Sequence, residues 1–137
     1  MANALYDAGR NAFLSQSPAA LDWDTNDIRL ICIDEADDTI DLAVDDFLDD
    51  RAAASRVATS ATMTCTAAAG VADASDVTLT AVTGDVFESI DIYKHTGTES
   101  TSLMIANIDT ATGLPCTPNT ADITIQFDSG ANKVFRL

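Results

Sequence analysis

Apolar and polar positions over the first 14 residues repeat at helical spacing. Ala2, Leu5, Tyr6, Gly9 and Phe13 fall three or four apart on one side, and Asn3, Asp7, Arg10 and Asn11 lie on the other. The pattern predicts a short amphipathic helix with a linker, together covering residues 1–16. After the Pro18-bearing stretch SQSPAALDWD, the segment DIRLICID places apolar residues on both faces, as a strand buried on both sides does. It predicts a strand over 27–34. In DEADDTIDLAVDDFLDD the apolar residues Ile40, Leu42, Val44, Phe47 and Leu48 follow neither period for long. The Val44 to Leu48 spacing suits one helical turn, and the segment reads as an irregular excursion.

Beyond residue 55 the pattern shortens and shifts toward period two. RVATSATMTC, DVTLTAV, VFESIDIYK, SLMIANI, DITIQF and KVFRL are rich in Val, Ile and Thr and are separated by turn chemistry such as TGD, HTGTES and DSGAN. Alternation is clearest in DITIQF, where Ile123, Ile125 and Phe127 share one face, and the DSGAN loop predicts a hairpin joining it to KVFRL. KVFRL itself is expected to be an ordered strand, with Val134 and Phe135 on opposite faces. TAAAGVADASD (66–76) and TATGLPCTPNTA (110–121) lack periodicity and read as surface loops. Seven short strands within 137 residues predict a mainly β, single-domain antiparallel β-sandwich or flattened barrel with a short N-terminal helix, one domain over 1–137 with its strands in 27–137.

Composition narrows the function. No apolar run approaches the roughly 18 residues of a membrane span, and MANALYDAGRNAFL lacks the charged and apolar regions of a signal peptide, so a soluble chain that folds where it is made is expected. Three cysteines without CxxC spacing suggest free thiols and neither a disulfide framework nor a zinc site. A formal charge of −15 repels phosphate backbones, which disfavours DNA and RNA as direct partners and makes a basic or apolar patch the complementary surface.

Residues 22–50 hold 12 of the 22 acidic residues, which makes them either a site of chemistry or a solvated face. DWDTND opens like an EF-hand loop with Asp22, Asp24 and Asn26, but Asp27 stands where the turn needs glycine and Ile33 where a bidentate glutamate belongs. Paired carboxylates of the glycosidase kind carry no specificity among so many acids. The single His95 lies in a probable-turn sequence, YKHTGTES, and no GxSxG elbow is present. Cys32 and Cys65 read as small core residues and Cys116 as loop-borne, with no basic neighbourhood to activate a thiol. No enzyme activity, cofactor or metal is therefore expected, and the solvated face is the preferred reading. Trp23 either stacks on a sugar or plugs one end of the core, and its place before a strand favours the plug. Leu5, Tyr6 and Phe13 either cap the core or meet a partner, and a helix this short needs packing.

The opening MANALYDAGRNAFL with LDWDTNDIRLICID, the later FLDD with RVATSATMT, DVTLTAVTGD, and the run from IDIYKHTGTES to the C-terminus resemble a set of small virion proteins of tailed bacteriophages and prophages. The resemblance covers nearly the whole chain and is most specific at MANALYDAGR and from IYK onward. It implies a multicopy structural protein of the virion, assembled in the host cytoplasm, most simply a capsid decoration or cement protein. Its partners would be the major capsid protein and neighbouring copies of itself, with no direct nucleic acid and no membrane. A tail, tail-fibre or connector component is the alternative within that class, and a host-glycan-binding β-sandwich module the alternative outside it. The candidate contact surface comprises Leu5, Tyr6 and Phe13 of the helix with Asp45, Asp46, Asp49 and Asp50 of the acid-rich excursion.

Overall fold

The IRLICI segment forms the middle of the architecture because both of its faces find apolar partners. In a computed structural model that describes residues 3–131 and 133–137, strand β2 (Ile28–Ile33) sends Ile28, Leu30 and Cys32 into the main core and Ile31 and Ile33 into a second cluster on the opposite face. Its antiparallel neighbours are β7 (Ser89–Lys94) on one side and β3 (Arg56–Thr59) on the other, and β8 (Met104–Ile108) and β1 (Ala4–Leu5) complete a five-stranded sheet ordered β1-β8-β7-β2-β3. Two smaller antiparallel sheets accompany it: β4 (Cys65–Ala68), β5 (Val71–Ala74) and β10 (Phe135–Arg136) in the order β10-β5-β4, and a ribbon of β6 (Val77–Leu79) with β9 (Ile123–Ile125). The protein is thus mainly β, a small sandwich-like domain with one short helix near its N-terminus.

The main core lies between the central sheet and the smaller sheets, where Phe87, Ile90, Ile92 and Ile105 meet Leu79, Val82, Ala72 and Ala74. On the other face, Tyr6, Ile31, Ile33, Leu48, Tyr93 and Met104 form a second cluster, with Ile40 and Leu42 packed against it. Those last two residues and Leu48 belong to the acid-rich excursion. That segment is therefore a cover over the outer face of the central sheet, apolar side chains down.

The N-terminal helix is shorter than its periodicity predicts. It runs over Asp7–Ser15 (α1), because Leu5 is taken by pairing with Ala106 and Tyr6 is extended (φ −63°, ψ 148°) at the helix start; Ala2 lies outside the described residues. Ala8, Gly9 and Ala12 are the buried helix positions, whereas Leu14 is 86% exposed. Gly9 is there for proximity: a Cβ at this position would sit 2.7 Å from the Ile105 carbonyl oxygen and 2.9 Å from Ile105 Cα. Alanine normally improves a helix interior by roughly 1 kcal/mol over glycine. Gly9→Ala is nonetheless expected to destabilise by about 1–3 kcal/mol, because helix and strand backbones must separate. Urea denaturation of the variant checks the sign.

Two connections differ from expectation. The loop expected over 66–76 is a hairpin in which Ala68 faces Val71 across a two-residue turn with positive φ at Ala69 (52°) and Gly70 (76°). Its side chains are too small to display a period. KVFRL forms a strand but does not pair with DITIQF: Phe135 faces Ala72 and Arg136 faces Val71, while Ile123, Thr124 and Ile125 face Leu79, Thr78 and Val77. The DSGAN turn signal is satisfied locally, by the Gly130 N–H donating to Asp128 Oδ1 at 2.9 Å, and redirects the chain between sheets; its Asn132 lies outside the described residues. RVATSATMTC likewise divides into β3 and the start of β4. Where β3 ends, the Ser60 N–H donates to the Leu30 carbonyl at 2.9 Å while the Ser60 hydroxyl oxygen accepts from the Leu30 N–H at 3.0 Å.

Candidate interaction surface

Arg51 follows two aspartates at the end of the acid-rich run and is 1% exposed, the largest fully buried side chain of the molecule. Charge burial of this kind needs partners, and four residues from three segments supply them. Asp91, in the middle of β7, accepts from Arg51 Nε at 2.8 Å; the Tyr6 hydroxyl accepts from Nη2 at 2.9 Å; Asp45 also accepts from Nη2; and Asp38 lies 3.5 Å from Nη1. Asp91 is shared further, taking the Tyr6 hydroxyl proton at 2.7 Å and the Asn107 amide at 2.9 Å. Burial and the adjacent Asp91 push the Tyr6 hydroxyl pKa upward, so the phenol stays protonated and donates. Burial pulls Arg51 down, but the Tyr6 oxygen, Asp91 and Asp45 outweigh it and keep the guanidinium charged.

Several other carboxylates of the excursion serve its own backbone, which has no ladder to satisfy it. Asp38 accepts from the Ala52 N–H at 2.8 Å, Asp41 from Ala43 at 3.0 Å and Asp45 from Asp41 at 2.6 Å, and one Asp50 oxygen accepts from both Asp46 (2.8 Å) and Phe47 (3.0 Å). The acids are thus more than a solvated face. Part of them is the internal scaffold of the segment.

The seven candidate contact residues divide accordingly. Tyr6 and Asp45 are buried and meet at Arg51, so neither is presented to a partner. Leu5 and Phe13 are half-buried against the main core, the Phe13 ring 5.8 Å from that of Phe135. Asp46 is half-buried, and Asp49 and Asp50 are exposed on the outer side of the cover. Near them Val44 stands 69% exposed, among the exposed Asp41 and Ala43. Sequence reading missed Arg51, Asp38, Asp91 and Asn107. The usable signal was Asp91, a lone carboxylate between Ile90 and Ile92 in a segment otherwise apolar enough to be central.

The residues with chemical potential are dispersed. Trp23 is 3% exposed, donates its Nε1 proton to the Asp73 carbonyl at 2.9 Å and meets Phe135 edge-on at 5.0 Å, so it plugs the core. Among the described residues no cysteine or serine hydrogen-bonds to His95. The carboxylate oxygens of Asp34, Asp37 and Asp85 lie within 4.8 Å of one another, a grouping that exposed acids often form. The three thiols are free; burial pushes Cys32 up to about 12 and Cys65 up to about 11. Native Cys65 is therefore expected to react with iodoacetamide at pH 8 about a hundredfold more slowly than in urea, and Cys32 more slowly still. Peptide mapping after timed alkylation measures both.

Three of the open depressions on the surface stand out by their lining. One of about 480 Å³ is floored by Phe13, Trp23 and Phe135, another of about 780 Å³ lies along Ile123, Ile125 and Phe127, and a third of about 390 Å³ separates residues 57–61 from residues 78–83. No family model matches the chain, and no curated protein is similar to it.

Proposed function

We propose that the protein is an accessory structural component of a tailed-phage virion, a capsid decoration protein that binds the outer surface of the major capsid lattice in many copies. One observation supports a binding role above the others: an exposed apolar residue, Val44, lies on the same segment as the exposed Asp41, Asp49 and Asp50, and the buried Arg51 ties that segment to the central sheet from beneath. A small apolar centre within a fixed acidic rim is the complement of a basic capsid surface, with the charges setting orientation and encounter rate and the apolar contact limiting dissociation. Each copy bridges neighbouring capsomers through a modest contact, and many such contacts together resist the outward pressure of packaged nucleic acid. The resemblance of MANALYDAGR and of the C-terminal run to phage virion proteins supplies the particle; the acidic cover supplies the mode of attachment.

Quantitative mass spectrometry of purified particles tests the reading. A copy number that scales with the major capsid protein supports decoration. About a dozen copies or fewer would replace it with the tail or connector reading, and absence from the particle would end both.

A further inference from the structure

The depression between residues 57–61 and 78–83 differs from the other two in what faces it. β3 is the terminal strand of the central sheet, paired only with β2, and β6 is paired only with β9. The depression is lined by consecutive residues of each strand and its continuation, five on one side and six on the other. A sheet face contributes every second residue; an edge contributes each one in turn. The outer edges of β3 and β6 therefore border one groove, and among the described residues no ladder joins them. Beyond β6 the lining chain is no longer an open edge, since Ala81 has positive φ (49°) with its N–H on Asp122, and the Val82 N–H and carbonyl are taken by Ala121 and Thr120.

Proteins ordinarily blunt such edges with charge or proline. Here none of the eleven lining residues is charged or proline, in a chain that carries 22 acids. Charge returns at the margins. Gly84 abuts Val57, with 3.6 Å from its ideal Cβ position to Val57 Cγ1, and the next residue, the exposed Asp85, has its carboxylate beside those of Asp34 and Asp37. On the ribbon side, the exposed Asp122 accepts from the Ala81 N–H at 2.9 Å.

We propose that this groove is a β-augmentation site: it takes an extended segment of a partner protein, uncharged and rich in small or β-branched residues where it lies in the groove and flanked by lysine or arginine. Main-chain donors and acceptors along a strand edge are matched in register by another extended main chain. At the spacings of a sheet a strand residue fills roughly 160 Å³, so about 390 Å³ accommodates roughly two to three residues between the edges. The basic flanks answer Asp85, Asp122 and the net charge of −15. This goes beyond the proposed function and holds whether or not the protein belongs to a virion.

The test titrates the full-length, isotopically labelled protein with a blocked peptide, Lys-Lys-Val-Thr-Val-Thr-Val-Lys-Lys, and follows backbone amide resonances. Shifts confined to residues 57–61 and 78–83, slower amide exchange there, and at least a tenfold loss of affinity when alternate peptide nitrogens are methylated are expected. Thr59→Arg, at an exposed edge position, should abolish binding and leave the melting temperature unchanged; if that variant fails to fold, the methylated peptide remains the deciding comparison. No shifts at millimolar peptide, shifts mapping elsewhere, or equal binding of the methylated peptide would overturn the proposal. Equal binding of a glutamate-flanked peptide would overturn the charge requirement. Concentration-dependent dimerisation that protects the same amides without peptide would assign the edges to a second copy and overturn the partner segment.

Discussion

Arg51→Met is expected to lower the unfolding free energy by about 3–5 kcal/mol, because truncating one side of a buried ion pair leaves the other side charged and unsatisfied. Asp91, 0% exposed, would keep the Tyr6 hydroxyl and the Asn107 amide but lose its one cationic partner among the described residues, and Asp45 and Asp38 would lose the same counter-charge. In a domain of this size the loss corresponds to a fall in melting temperature of roughly 10–15 °C. The double variant Arg51→Met, Asp91→Asn should cost clearly less than the sum of the two single changes, since it removes the stranded charge together with its partner. Chemical denaturation of the three variants gives the coupling. Strict additivity would mean that the network does not act as a unit. Hydrogen exchange adds a second readout: amides of residues 38–50 should lose protection in Arg51→Met before those of β7 and β2 do.

Trp23→Ala is expected to cost about 3–5 kcal/mol, the usual range for a large aromatic removed from a core. The location of the damage is more informative than its size. Trp23 holds the three-stranded sheet through two contacts, its ring edge against Phe135 of β10 and its Nε1 proton on the Asp73 carbonyl of β5. The variant should therefore release the C-terminal strand and the β4–β5 hairpin while the five-stranded sheet stays ordered. Limited proteolysis should cut within 65–75 and near residue 133 in Trp23→Ala and not in the parent protein. Trp23→Phe should recover much of the stability but not the hydrogen bond to Asp73.

How far the sequence anticipates this arrangement depends on side-chain size and on distance along the chain. β2, β7 and β8 are legible because bulky apolar residues, chiefly isoleucine, dominate them despite Arg29, Asp91 and Asn107, and their predicted boundaries fall within a few residues of those observed. The β4–β5 hairpin is illegible because alanine and threonine carry no period, and because its turn has Ala69 at a position with φ of 52° where asparagine would announce it. The KVFRL pairing is misread for a different reason. A turn sequence specifies that the chain bends, whereas the choice between β9 and β5 as partner is made by where Phe135 finds Trp23 and Phe13. For the candidate surface, the acidic run is conspicuous by composition, but its division into inward and outward carboxylates is not, since that depends on an arginine and on a tyrosine and a β7 aspartate that are 85 residues apart in the chain.

The order of the central sheet has a kinetic consequence. Ala4 is paired with Asn107, and Ile28 with Lys94, so the strand in the middle of the molecule waits for partners made long after it. Contacts of such separation are reached only after large loops close, which places the domain among slow-folding topologies. A nascent chain in that interval exposes the Ile-rich segment 28–33, a hazard for association between neighbouring chains on one message. It also carries the carboxylates of 22–50 on both sides of that segment, and like charges keep such chains apart. The acidic run thus protects the polypeptide before its central sheet has closed.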